Sequence, residues 1–232
     1  MGLFLTFEGG DGSGKATQTK ETYDWLTSEG YDVTLESFPR YGNPVVKPVE
    51  NFLNGKYGQI HPELASVLYS LDRYHASDDI RTVLARKSGI MLADRFTNSN
   101  FGHNGSKFDA TEERLQFFEE QRAFEYDVLG VPRPDHNVIL MVPPEVAQAN
   151  IDKKAARIYS EKKRYSHEAD ATHQERTYST YQLLAQTYPD EFTLIDAIEQ
   201  DGVSMRSIES VQAEVRAAFA PLLKGIIVKQ EP

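Results

Sequence analysis

The sequence predicts an α/β fold, a five-stranded parallel sheet with helices on both faces. Short apolar runs alternate with long stretches of helical period, the pattern of strand–helix repeats. The first apolar run feeds directly into a glycine-rich turn. The chain has 232 residues, 40% of them hydrophobic, which suits one domain with a sizeable core.

Each element follows from local pattern. "LFLTFEG", Leu3 to Gly9, reads as a buried first strand, with a helix expected from about Lys15 to Ser28. "YDVTLESFP", Tyr31 to Pro39, is rich in β-branched and aromatic residues and reads as the second strand. Helical patterns follow over Pro44 to Leu53 and Pro62 to Arg86. "GIMLADRF", Gly89 to Phe96, reads as a third, buried strand, followed by a polar loop. A helix over Thr111 to Leu129 precedes a fourth strand, "NVILMVP", Asn137 to Pro143. Helices over Pro144 to Tyr159 and Ala171 to Tyr188, the strand "FTLIDA", Phe192 to Ala197, and a helix over Ser207 to Leu223 complete the pattern. No internal repeat is visible. The reading is a single domain over residues 1–223, with "KGIIVKQEP", residues 224–232, as a loose tail.

Composition narrows the function classes. The chain carries 35 acidic and 25 basic side chains, a net charge of −10. A nucleic-acid surface needs a basic stripe and is not expected. An anionic small molecule is compatible with this charge if the bases are gathered locally. The chain has no cysteine, which removes disulfides, thiolate zinc sites and cysteine nucleophiles and fits a reducing compartment. No apolar run approaches the roughly 20 residues of a membrane span. "MGLFLTFEGG" lacks a basic leader, so no signal peptide is expected and cytoplasm is the default.

The most specific local signal is "TFEGGDGSGKATQ", Thr6 to Gln18. Gly9 and Gly14-Lys15 satisfy G-x-x-x-x-G-K, between a predicted strand and a predicted helix. Glycines let backbone N–H groups converge on an anion, and the helix presents its positive N-terminus to it. Lys15 adds a point charge between β- and γ-phosphates. A chance glycine turn is the alternative, and strand, spacing and lysine together weigh against it. The binding set is Gly10, Asp11, Gly12, Ser13, Gly14, Lys15, Ala16 and Thr17. Ala16 departs from the usual pattern, in which a Ser or Thr hydroxyl ligates Mg²⁺. Thr17 lies about 100° further round a helix and cannot substitute. Metal ligation is therefore expected from phosphate oxygens, water and a carboxylate such as Asp94 or Glu8. Asp11 would repel phosphates if it pointed inward, so it is expected to face a hydroxyl of another substrate.

Four further segments carry functional residue types. "SFPRYG" brings Arg40 just past the second strand. In "LYSLDRY", Tyr69 and Arg73 share a helix flank with Ser66, Ser70 and Ala76, while Leu64, Leu68, Leu71 and His75 form a neighbouring stripe. The flank suits a slot for a planar base, by ring stacking and a two-donor fork. The alternative is a plain solvated face, which pattern alone favours. In "ADRFTNSNFGHNGSK", Asp94 and Arg95 end a strand, and Ser99, Asn100, His103 and Asn104 follow. Ligands bind beyond the carboxyl ends of parallel strands, which would bring Lys15 and Asp94-Arg95 to one edge. A structural Asp–Arg ion pair is the alternative there. "KKAARIYSEKKR", Lys153 to Arg164, holds six bases in twelve residues. It reads either as a solvated helix end or as a basic flap, about 153–168, closing over phosphates.

These segments, in this order, resemble thymidylate kinases of the P-loop nucleoside-monophosphate kinase group. The anchors are "FEGGDGSGK", "FPR", "LYSLDRY", "DRFTNSNFGHNG" and "VPPEVA", and the resemblance runs from about Leu3 to Leu223. It implies that Lys15 and the loop amides hold the ATP phosphates, and that Asp11 meets the 3′-hydroxyl of the acceptor nucleotide. It implies that Arg40 and Arg95 hold the acceptor phosphate, with Asp94 near the metal. Tyr69 would stack on thymine, Arg73 would bind its carbonyl edge, and Asn100 falls where some members contact the base. Some members carry an arginine after the loop aspartate; here that position is Gly12. This resembles the type whose catalytic arginine comes from the flap, Arg157 ahead of Arg164 because it sits at the predicted helix end. Phe96 replaces a usual tyrosine, His103 a tyrosine that crowds the ribose 2′ position, and Asn104 a glutamine.

The implied activity is ATP- and Mg²⁺-dependent phosphorylation of dTMP to dTDP by a homodimer packed through Pro62 to Arg86 or Thr111 to Leu129. A kinase for dUMP, another pyrimidine nucleotide or thymidine is a rival within enzymes. A non-catalytic ATP sensor, suggested by Ala16, is a rival from another class.

Overall fold

A computed structural model describes residues 1–157 and 171–228, with the side chains of 153–157 and 171 excluded. Five parallel strands form one sheet: β1 (Leu3–Gly9), β2 (Asp32–Ser37), β3 (Gly89–Asp94), β4 (His136–Met141) and β5 (Phe192–Asp196). The order is β2-β3-β1-β4-β5, so β1 is central. Its register pairs Phe7 with Asp94 on one side and Gly9 with Leu140 on the other. The carboxyl ends of β1, β2 and β3 therefore stand together, and each feeds one of the motif loops.

The helices are α1 (Lys15–Ser28), α2 (Lys47–Leu53), α3 (Pro62–Leu84), α4 (Thr97–Gly105), α5 (Thr111–Arg122), α6 (Pro144–Arg157), α7 (Ala171–Thr187) and α8 (Ile208–Phe219). Every residue of β1 is buried, as a central parallel strand with both faces covered requires. Leu3, Leu5 and Phe7 point to one face, where Leu26 of α1 and Val211, Val215 and Phe219 of α8 close the layer. Phe4 points to the other, against Ile80 and Val83 of α3. Thr6 and Glu8 share the Phe4 face by the two-residue period of a strand. Both are fully buried, and both bond to polar side chains.

Two differences from the sequence reading matter. The stretch expected to be a polar loop after β3 is the helix α4. Its pattern is polar and glycine-containing, yet Asn98, Asn100, Phe101 and Asn104 are buried. Side-chain hydrogen bonds and a close neighbour, not apolar periodicity, stabilise it. A Cβ added at Gly102 would sit 2.3 Å from the Tyr181 ring of α7, so only glycine allows this approach. The second difference is in the long helix expected over Thr111 to Leu129. It is α-helical to Arg122 and continues as a π-helical segment, Ala123–Val128. Such segments re-aim side chains, here Glu125 inward. The start of the expected tail is docked: Ile226 packs on the core and the Ile227 N–H donates to the Lys87 carbonyl at 3.1 Å.

Candidate active site

The loop between β1 and α1 has the backbone its glycines predict. Gly12 and Gly14 take φ of +79° and +89°, a region that side chains strain to adopt. Gly14 caps α1, and no acidic residue occupies the first turn, so the helix dipole is left for an anion. The buried Lys15 ammonium folds back over the loop, donating to the Gly10 carbonyl at 2.6 Å and to Ser13 Oγ at 3.4 Å. Burial, with the Arg95 charge beside it, lowers its pKa to about 8.

Arg95 follows β3 with φ of +68°, the sole described non-glycine residue in that region. Backbone strain of this kind persists where surrounding structure holds it, often at functional sites. Its N–H donates to the Phe7 carbonyl at 2.9 Å, tying it to the central strand. Its guanidinium pairs with Asp11 of the loop and donates to His103 Nε2 at 2.9 Å. His103 therefore accepts through Nε2. Burial and the Arg95 charge hold its pKa well below the usual imidazole range, so the ring is neutral. Burial opposes ionisation of Asp11, but the Arg95 charge foremost, with that of Lys15, outweighs it and holds the carboxyl low.

Beyond Arg95 a cavity opens between α3 and α4. Asp11, Tyr69, Arg73, Arg95, Ser99, Asn100, His103 and Asn104 line it, with Phe38, Pro39, Phe52 and Lys107. The Tyr69–Arg73 flank is thus not a solvated face: Ser66, Ser70, Arg73 and Ala76 are buried, while Leu64 and Leu71 are exposed. Arg73 is fixed by a buried ion pair with Glu125, whose Oε2 accepts from Arg73 Nε at 2.8 Å. Its Nη1 lies 3.5 Å from the Phe96 carbonyl and makes no bond to Glu125. Sequence reasoning missed Glu125. It sits in an ordinary helical stretch, and only packing brings it under Arg73.

Two of the expected site residues have other partners in this structure. Glu8 was offered as a carboxylate for the metal. It is fully buried and accepts from the Phe96 N–H at 2.8 Å, Ser99 Oγ at 2.6 Å and Tyr181 Oη at 3.2 Å. It anchors the start of α4, and burial raises its pKa. Arg40 was expected to grip the acceptor phosphate, and here it pairs with Asp72, which itself lines the cavity. Its Nε donates to Asp72 Oδ1 at 2.8 Å, and its Nη2 to the Asp72 carbonyl at 3.1 Å. The short reach from the end of β2 to a buried carboxylate on α3 accounts for this pairing.

Asp94 is placed differently. Its Oδ1 is buried and has no hydrogen-bond partner among the described residues. Among the described residues no cluster of three ligating side chains exists, so any Mg²⁺ here would rest mainly on phosphate oxygens and water. Arg164 lies outside the described residues, as does the Arg157 side chain and most of the expected flap.

Comparison with known proteins bears on this geometry. The thymidylate kinase family model matches residues 7–208. The chain belongs to the thymidylate kinase family. It is 32% identical over 207 residues to a thymidylate kinase of Caulobacter vibrioides, covering 88% of this chain and 93% of that one. It is 30% identical over 228 residues to a thymidylate kinase of Pseudomonas putida, covering 97% of each. It is 28% identical over 199 residues to one of Clavibacter sepedonicus, covering 84% and 87%.

The departures from the thymidylate kinase pattern have structural readings. At Gly12 a Cβ would lie 2.2 Å from the Ala147 carbonyl oxygen of α6, and Asn150 Nδ2 donates to the Gly12 carbonyl at 3.0 Å. The loop and α6 are packed too closely for an arginine at that position. Phe96 is fully buried, its ring 4.8 Å from Phe4 and 5.1 Å from Phe38, so its apolar edge serves the core. Ala16 and Thr17 are both exposed on the first turn of α1. No helix among the described residues is long and apolar enough to cross a membrane.

Proposed function

We propose that the protein transfers the γ-phosphoryl group of ATP to dTMP, giving dTDP and ADP. The observation that carries this is one continuous site. Lys15 and the loop amides stand at one end, Arg95 is linked to that loop through Asp11, and a base slot between Tyr69 and Arg73 lies at the other end.

The slot's chemistry favours thymine or uracil. Arg73 Nη1 is a donor for O4 of the base. Both hydrogens of Asn100 Nδ2 are taken, by the Ser66 carbonyl at 3.2 Å and Glu125 Oε1 at 3.0 Å. Asn100 therefore offers an acceptor, Oδ1, for the N3–H. Cytosine presents the reverse pattern, and unpaired buried polar groups are costly. Tyr69 supplies the stacking face. Arg95 and Lys15 neutralise acceptor and donor phosphates, with His103 and Ser99 steadying Arg95. Asp11 meets the sugar 3′-hydroxyl, and Asn104 closes the slot.

In the reaction an oxygen of the acceptor phosphate attacks the γ-phosphorus as the bond to the bridging oxygen breaks. That electron pair leaves on ADP. No covalent enzyme intermediate is needed, so the side chains position and neutralise. A bound Mg²⁺ would supply charge neutralisation at the β- and γ-phosphates, with Asp94 as its carboxylate through water. Arg157 or Arg164 of the flap would add the arginine that the loop lacks.

Exposed Leu64, Leu71 and Tyr74 on the outer face of α3 support a homodimer through that helix. Cytoplasmic location follows from the expected substrates. The test is a spectrophotometric assay with ATP, Mg²⁺ and a panel of monophosphates. Preference for dTMP is expected, with dUMP as the nearest rival, since a methyl group is worth only about 1–3 kcal/mol. Preference for a purine monophosphate overturns the reading. Binding of ATP without turnover on any acceptor or metal supports the sensor instead.

A further inference from the structure

We infer that Glu125 and Lys107 act together as positioning residues that set the hydrogen-bond polarity of the base slot. The inference rests on the dTMP kinase reading and extends it to groups that the motifs do not single out.

A ribbon of hydrogen bonds runs along one wall of the cavity. Asn100 Nδ2 donates to Glu125 Oε1 at 3.0 Å, Asn104 Nδ2 donates to Asn100 Oδ1 at 3.2 Å, and Lys107 Nζ donates to Asn104 Oδ1 at 2.9 Å. Residues 100, 104 and 107 fall at helical spacing, on one face of α4 and its continuation. The two ends differ in kind. A carboxylate only accepts hydrogen bonds and an ammonium only donates them. An amide does both and can sit either way round. With a pure acceptor at one end and a pure donor at the other, only one direction of the ribbon satisfies every member. That direction uses both hydrogens of the Asn100 amide and leaves, for a ligand, the lone pair of Oδ1 that Asn104 does not take.

Both ends are built rather than incidental. Glu125 is fully buried, and its Oε1 also accepts from Ser70 Oγ at 2.9 Å while Oε2 holds Arg73 Nε. The same carboxylate thus fixes the donor that reads O4 and the acceptor that reads N3–H. Lys107 lines the cavity with its ammonium 5.5 Å from the centre of the Phe52 ring, an apolar setting that lowers its pKa by burial. Reversing either end removes one of the contacts that hold the amides as they point, and for Asn100 leaves only the Ser66 carbonyl at 3.2 Å to oppose a flip. The slot then tolerates a base that offers an acceptor at N3 and an amino group at C4.

The test is the ratio of kcat/KM for dTMP to that for dCMP, with ATP as donor. Glu125→Gln offers an NH₂ where the ribbon ends on an acceptor, and is expected to lower the ratio by about 10- to 100-fold. Lys107→Met removes the donor end and is expected to lower it by about 3- to 10-fold, while Lys107→Arg, which keeps a donor, holds it within about threefold. A thermal melt accompanies each variant. If Glu125→Gln does not fold, Lys107→Met decides alone. Folded variants that lose activity on both nucleotides at an unchanged ratio overturn the inference and reduce the ribbon to a stability element. Wild-type protein inactive on dTMP overturns the parent reading instead, a result visible before any variant is made.

Discussion

Arg95 and Asp11 form an ion pair between the end of β3 and the phosphate loop, joining the two halves of the site. The pair keeps the Asp11 carboxylate away from the loop interior, where it would repel phosphates, and leaves it on the cavity wall. Asp11→Asn keeps the shape and removes the charge. A hydrogen bond to a charged group contributes about 1.5–3 kcal/mol, so kcat/KM for dTMP is expected to fall roughly 10- to 100-fold. A 3′-deoxy analogue of dTMP should lose much less in the variant than dTMP does. Equal losses would remove Asp11 from the 3′-hydroxyl.

Arg40 and Asp72 lead to a prediction about stability. Asp72 is buried and accepts from the Arg40 backbone N–H at 2.8 Å as well as from its guanidinium. Arg40→Ala strands part of that carboxylate and is expected to cost about 3 kcal/mol in urea unfolding. Arg95→Ala, by contrast, should spare folding relative to activity and reduce kcat by at least about 100-fold. If Arg40→Ala leaves stability intact and matches the kinetic loss of Arg95→Ala, Arg40 is a phosphate ligand after all.

Gly12 is strained ground for any side chain, by its φ of +79° and by the carbonyl of Ala147. Gly12→Ala is expected to destabilise by about 1–3 kcal/mol and to weaken ATP binding as α6 shifts. Gly10 has open space at its Cβ, so Gly10→Ala should stay within about 0.5 kcal/mol in the same unfolding experiment. Equal stability losses in the two variants would contradict the packing account.

Lys15 yields opposite pH trends for binding and stability. Its pKa in the folded protein is lowered to about 8 from 10.5. As pH rises through about 8 the free protein loses the charge that meets the triphosphate, so kcat/KM for ATP is expected to decline. Between about 8 and 10.5 the unfolded chain holds a proton that the folded state has released, so the contribution of Lys15 to stability rises over that window. Lys15→Met should abolish both trends. A kcat/KM profile flat to pH 10 would show that Lys15 keeps its proton.

Much of this was readable from local pattern. The alternation of apolar runs and helical stretches carries the parallel sheet, because buried parallel strands leave little choice of side chain. Glycine spacing before Lys15 carries the phosphate loop, because positive φ and close approach demand glycine. Helix α4 was not readable. Its buried face is asparagine and glycine with Phe101, and its stability comes from Glu8, Asn137 and the close approach of Tyr181. Those partners lie far away in sequence, and no periodicity announces them.

The residue types at the site, their order and the family to which they belong were determined by the sequence itself, since charge, ring and glycine requirements act within a few residues. Which carboxylate each of these charges takes was decided only by tertiary structure. Arg40 and Arg73 are both arginines beside motif residues, yet one is paired with Asp72 of α3 and the other with Glu125 of the π-helical segment. A charged side chain takes the carboxylate that the fold brings within reach, and that neighbour is set by packing across elements.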